Sequence, residues 1–114
     1  MPETTDLIDA QVKAFRERDL ERFLEFYSAD VVFRDLAGHV VMDGIESVRE
    51  QYGQLFRDSP ALSADIPNRM VAGDYVIDEE DISGFNLPGY PTQMHAVVVY
   101  RVTDGKIREV VLLS

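Results

Sequence analysis

The amino-acid sequence predicts an α+β domain in which helices cover one side of a curved, mostly antiparallel sheet. Three observations carry that expectation. Apolar residues recur at helical spacing through the first half of the chain, at Ile8-Val12-Phe15, Leu20-Phe23-Leu24-Tyr27 and Ile45-Val48-Tyr52-Leu55. From Leu62 onward the period changes to two. Glycine-bearing turns, Ala72-Gly73-Asp74-Tyr75 and Asp104-Gly105, then separate the strands. Helices early and strands late, with one short strand among the helices, is the order of an α+β fold.

The first helix is expected to start near Thr5 or Asp6, either of which can cap it, and to run to about Arg18. Gln11 falls one turn from Leu7, Ile8 and Phe15, so a polar side chain sits on the apolar stripe. It reads either as a border residue bonded to backbone or water, or as a hydrogen-bonding group aimed into a cavity. Asp19 restarts the chain as the cap of a second, shorter helix that runs to Tyr27, which reads first as core. In the strand Val31–Asp35, alternation puts Val31, Phe33 and Asp35 on one face and Val32 and Arg34 on the other. Asp35 is then a carboxylate at the end of an apolar wall, where a charge must be paired, hydrogen-bonded, shifted in pKa or close to water. Asp35-Leu36-Ala37-Gly38 also carries a type I turn signature, so the same carboxylate can simply cap the turn. On the residues alone the two readings stand level. His39 follows on a loop or edge, and Asp43 with Glu46 forms a capping-box pattern for the third helix, which Ser59-Pro60 stops. Tyr52, on that helix's apolar face, reads as core before it reads as a pocket hydroxyl.

Leu62 to Met70 alternate, with Pro67 marking an edge strand or a bulge. The next strand, Tyr75 to about Phe85, carries Asp78-Glu79-Glu80-Asp81, with two acids on each face. A solvated edge is expected there, since such a run repels itself when buried; the alternative is acids lining a cavity or an interface. Asn86-Leu87-Pro88-Gly89-Tyr90-Pro91 is a loop placed to overhang a pocket. Thr92–Val102 and Lys106–Leu113 are apolar on both faces, and helices can cover only one of them. The other, around Val97, Val99 and Val111, calls for a second subunit, so a homodimer is expected.

At 114 residues the chain fits one domain, residues 1–114. Its net charge of −10, from 21 acidic against 11 basic residues, argues against nucleic acid and against anionic membranes as partners. Without cysteine there are no disulfides, thiol nucleophiles or thiolate metal ligands. His39 and His95 alone, with no ligand spacing between them, give no metal site, and no cofactor is expected. Met1–Asp6 lacks the basic and apolar regions of a signal peptide, and the longest apolar runs are too short to span a bilayer, so the expected location is cytoplasmic.

The element order, the segment FYSADVVFRD, the helix MDGIESVREQYGQLF and the ending VVYRVTDGKIREV resemble the nuclear transport factor 2-like superfamily. Its ketosteroid isomerase and polyketide cyclase-like (SnoaL-like) branch is the most similar. The resemblance implies a cone-shaped domain, three N-terminal helices on a curved sheet, with an apolar cavity between them. It implies little about function, because the fold carries isomerases, cyclases, dehydratases, epoxide hydrolases and non-catalytic binding domains. Asp35 matches the isomerases' proton-shuttling aspartate. Gln11 falls where those enzymes place an oxyanion-binding tyrosine. Val98, or Val97 with a slipped register, falls where they place a protonated aspartic acid. The Asp-Arg-Asp set of the epoxide hydrolases finds no match around Arg34. The resemblance thus implies a small apolar ligand contacted by Gln11, Phe15, Tyr27, Phe33, Tyr52, Val98 and Tyr100, with Asp35 as general base for an isomerisation or cyclisation. The alternative is a non-catalytic dimeric domain for ligand binding or protein interaction.

Overall fold

The computed structural model of the protein describes residues 2–113, and side chains from Thr4 to Leu113; Met1, part of the reading about a leader, lies outside them. Its elements are α1 (Pro2–Glu17), α2 (Leu20–Glu25), β1 (Tyr27–Asp35), β2 (Val40–Asp43), α3 (Ile45–Asp58), β3 (Ser63–Ala72), β4 (Tyr75–Ser83), β5 (Gln93–Thr103) and β6 (Lys106–Leu113). The six strands form one sheet in the order β2-β1-β6-β5-β4-β3, antiparallel except where β1 lies parallel to β6. This is the expected α+β class with a mostly antiparallel sheet.

Several local features correct the sequence reading. α1 begins at Pro2 rather than at Thr5 or Asp6, since proline is suited to a first helical turn. It ends in a Schellman motif: Asp19 N–H bonds to Ala14 O at 3.0 Å and Arg18 N–H to Phe15 O at 3.0 Å, with Arg18 at φ 55°. Asp19 does cap α2, accepting from Arg22 N–H at 3.3 Å. Tyr27 is not the last residue of that helix but the first of β1. There it pairs with Ile107 of β6, whose N–H bonds to Phe26 O at 2.8 Å. Val40–Asp43, where the sequence reading assigns no strand, forms the short edge strand β2, with Met42 opposite Phe33. The cap of α3 is Gly44 rather than Asp43, and no side chain completes it. Gly44 has φ 88°, which an L-residue adopts only with strain, and its N–H bonds to Val31 O at 2.7 Å.

The core joins Ile8 and Val12 of α1, Phe23 of α2, Val48 and Leu55 of α3, and Val31, Val76, Ile107 and Val110 of the sheet. Burying such side chains, at about 1.5–3 kcal/mol each, is the main force holding helices to strands. Along β5, Val98, Tyr100 and Val102 face this core, while Val97, Val99 and Arg101 face outward. The register carries the outward row across four strands, from Met70 through Ile77 and Val99 to Val111.

The acidic run of β4 does not leave the sheet, contrary to the expectation of a solvated edge. Glu79 and Asp81 point outward and bracket His95 at 2.8 and 2.5 Å. Asp78 and Glu80 point inward, 0% and 7% exposed. Asp78 is tolerated because Arg69, directly across the β3–β4 hairpin, grips both carboxylate oxygens at 2.6 and 2.9 Å. Asp9 of α1 holds the other edge of the same guanidinium at 2.6 Å.

Candidate functional site

A cavity of about 260 Å³ opens among α1, α3 and the inner face of the sheet. Gln11, Phe15, Tyr27, Phe33, Tyr52, Val98 and Tyr100, named from sequence, all line it. They arrive from four elements. Gln11 and Phe15 are one turn apart on α1, Tyr27 and Phe33 lie on the inward face of β1, Tyr52 comes from α3, and Val98 and Tyr100 from β5.

The polar tips of these residues lie close enough to bond to or act on one another. Gln11 Nε2 donates to the Tyr27 hydroxyl at 3.0 Å, and both residues are buried. Of the two readings of Gln11, the cavity reading therefore describes its position, although Oε1 itself has no hydrogen-bond partner. The Tyr100 hydroxyl donates to Glu80 Oε2 at 3.1 Å. Burial raises the pKa of Tyr27, Tyr52 and Tyr100 above the ordinary tyrosine value, and the nearby Glu80 carboxyl adds to each rise. The rings form a wall: Tyr27 stacks on Phe33 at 5.7 Å between centroids, and Phe33 meets Tyr52 at 6.0 Å.

Glu80 is the residue that sequence reasoning missed. Among the described residues it is the only acid lining the cavity, and none of them lines it with a lysine, arginine or histidine. Burial pushes its carboxyl up to about 7; Asp78 adds to the rise, while the Tyr100 hydrogen bond and Arg69 oppose it. Its signal was available in the hairpin. Counting outward from the two-residue turn Gly73-Asp74 pairs Arg69 with Asp78, so Asp78 and Glu80 share the inward face.

Asp35 lies elsewhere. It is not among the cavity-lining residues but borders a separate surface hollow with Leu36, Ala37, Leu112 and Leu113. Its Oδ1 accepts the His39 N–H at 2.9 Å, closing the turn as a cap. That hydrogen bond is the largest of the effects that hold the Asp35 carboxyl below its ordinary pKa, the opposite of what a desolvated base would show. Asp35→Asn, which can still accept at the turn, is expected to leave ligand binding in the cavity unchanged, as read from cavity-residue NMR shifts.

An Asp-Arg-Asp cluster does exist, built from Asp9, Arg69 and Asp78 rather than around Arg34, but none of the three lines the cavity. Among the described residues no group of three or more acidic, histidine or cysteine side chains is placed to hold a metal. No helix there is long and apolar enough to cross a membrane. The loop between β4 and β5 does overhang the cavity, contributing Phe85, Leu87 and Tyr90. It leaves β4 at Gly84, where a Cβ would fall 2.1 Å from Ala61 O.

Solved structures of the same fold include an uncharacterised cystatin-fold protein of Novosphingobium aromaticivorans, 23% identical over 97% of both chains with a TM-score of 0.87. A candidate SnoaL-like polyketide cyclase of Jannaschia sp. CCS1 is 17% identical over 98% of this chain and 85% of its own, with a TM-score of 0.79. A hypothetical protein of Catenulispora acidiphila with a ketosteroid isomerase-like fold, crystallised with trimethylamine, is 18% identical over 95% of this chain and 84% of its own, with a TM-score of 0.73. Curated proteins give no match. These likenesses agree with the nuclear transport factor 2-like fold. Because the family model also matches residues 8–110, from α1 into β6, the chain belongs to the SnoaL-like domain family.

Proposed function

We propose that residues 1–114 act as one ligand-binding domain whose cavity takes a compact, largely apolar molecule, and that Glu80, not Asp35, moves a proton on it. The single observation carrying this reading is a lone carboxyl in an aromatic cavity, 7% exposed and oriented by the Tyr100 hydroxyl. Burial keeps its acid and base forms both populated near neutral pH, the condition for general acid–base work. Isomerisation or cyclisation of a molecule with an acidic C–H is the chemistry such a group supports. Relatives of this fold described as polyketide cyclase or crystallised with a small amine support a small-molecule ligand.

Compact carbon acids, as ketones and as their imines, incubated with the protein in D2O are expected to gain deuterium at carbon. Glu80→Gln should slow that gain by about a hundredfold or more. Exchange that survives in Glu80→Gln and vanishes in Asp35→Asn would return the base to Asp35. No exchange with any probe that binds would leave the non-catalytic binding domain.

The homodimer rests on the outward row Met70, Ile77, Val99 and Val111, with Val97 and Leu113 beside it. Ion pairs flank that band: Arg34 and Arg101 on Glu109, and His95 between Glu79 and Asp81. Such an apolar strip with a charged rim fits an isologous partner. Light scattering at micromolar concentration is expected to give a dimer, and Val99→Asp a monomer. A monomeric wild type would sink the assignment.

A further inference from the structure

The ligand that this cavity suits best can be read from its charges and its unfilled hydrogen bonds. Tyr27, Phe33, Tyr52 and Tyr100 line the same cavity as Glu80, their rings packed on one another and the Tyr100 hydroxyl bonded to its carboxylate. Among the described residues no cationic side chain lines the space. Arg69, the guanidinium that acts on Glu80, is committed to Asp78 and Asp9. An anionic ligand would therefore meet a carboxyl and electron-rich rings with nothing to pair it. The Oε1 acceptor of Gln11 is buried without a partner, so a ligand N–H would find a waiting acceptor there.

We propose that the cavity binds a small nitrogen cation, an N–H-bearing ammonium or iminium, seated on the ring faces with its N–H directed to Glu80. This deepens the reading of the cavity as a ligand site and rests on it. A cation against aromatic faces is attracted by their quadrupoles, and more strongly where water is excluded. It also supplies the opposite charge that the buried Glu80 carboxylate lacks.

The same choice resolves a chemical difficulty. A ketone deprotonated here would place an oxyanion beside a carboxyl, with tyrosines that burial makes less acidic as the available donors. An iminium carries its own positive charge. Glu80 takes the proton from the carbon next to the C=N bond of a β,γ-unsaturated iminium, and the C–H electron pair becomes a C=C bond. The C=N π pair moves onto nitrogen, giving a neutral dienamine. Return of the proton from Glu80 to the γ carbon restores the iminium with its double bond shifted, and no other reactant is consumed.

The groups around Glu80 that can titrate or carry charge are Tyr100 on β5, Asp78 on β4, Tyr27 on β1 and Tyr52 on α3. Arg69 on β3 and Asp9 on α1 are paired behind Asp78. The Glu80 carboxyl, raised to about 7, gains its charge across pH 5.5–8, so cation binding should strengthen as pH rises through about 7.

The test uses the whole chain and three probes of similar size, followed by protein-observed NMR: N,N-dimethylbenzylammonium, its neutral isostere isobutylbenzene, and phenylacetate. The ammonium is expected to bind at least about tenfold more tightly than isobutylbenzene at pH 8, and about tenfold more weakly at pH 5.5 than at pH 8. Glu80→Gln should abolish the cation's advantage while isobutylbenzene still binds, which also shows that the variant is folded. An ammonium no tighter than isobutylbenzene, or phenylacetate binding best, overturns the cation and leaves the cavity as a ligand site. Failure of all three probes to shift any cavity resonance overturns both.

Discussion

Glu80→Gln is expected to stabilise the fold by roughly 3 kcal/mol at pH 8 and to leave it nearly unchanged at pH 4. The carboxyl has an ordinary value of 4.5 and is raised to about 7 in the folded protein. At about 1.4 kcal/mol per pH unit, that gap corresponds to the quoted gain. Below 4.5 the acid is protonated folded or unfolded, and it costs nothing. Between 4.5 and 7 the folded state keeps a proton that the unfolded chain has released, so wild-type stability falls as pH rises. Above 7 the loss is complete and level. Glutamine keeps the shape and the acceptor for Tyr100 without the charge. Urea denaturation of both proteins at pH 4, 6 and 8 measures the effect; a difference that does not grow with pH would refute the buried carboxyl.

Arg69→Met should act in the other direction, costing about 3–5 kcal/mol at neutral pH. Asp78 is fully buried, and Arg69 is its bidentate partner. Methionine preserves the apolar stem but strands the carboxylate. Adding Asp78→Leu, which fills the space with an apolar side chain, should restore most of the loss, because a buried ion pair is often no better than a hydrophobic replacement. A single variant with an unchanged denaturation midpoint would mean that water or another group already satisfies Asp78.

The stripes of α1 and α3 and the two-residue turns of β3–β4 and β5–β6 were legible because they depend on neighbours a few residues apart. β2 was not, because a four-residue edge strand with one buried position, Met42, has no periodicity to read. Tyr27 fitted the helical spacing of α2 by coincidence, and only its distant partner Ile107 moves it into β1. The same distinction separates the cavity residues. Alternation and helical spacing place Gln11, Phe33 and Tyr52 on the correct faces, and the cavity collects them. For Asp35, alternation gave the face but not the depth: the strand ends there, and the carboxylate turns to the His39 amide. Glu80 was obscured by its acidic neighbours, since net repulsion along a segment says nothing about an arginine delivered from the adjoining strand.

The parallel pairing of β1 with β6 joins the earliest strand to the latest. Before β6 exists, β1 and β2 form a two-stranded fragment, and β3, β4 and β5 form another, with nothing in the sheet to bridge them. On a ribosome, both Phe33 and Tyr100 would wait for Val110, which pairs with each of them, until β6 emerges. Closing so long a loop is slow, and it leaves one edge of β1 and one of β5 open as templates for wrong partners in the meantime. β6 is in this sense the keystone of assembly: the nascent chain can form its hairpins one by one, but it acquires an enclosed interior only in a single late step.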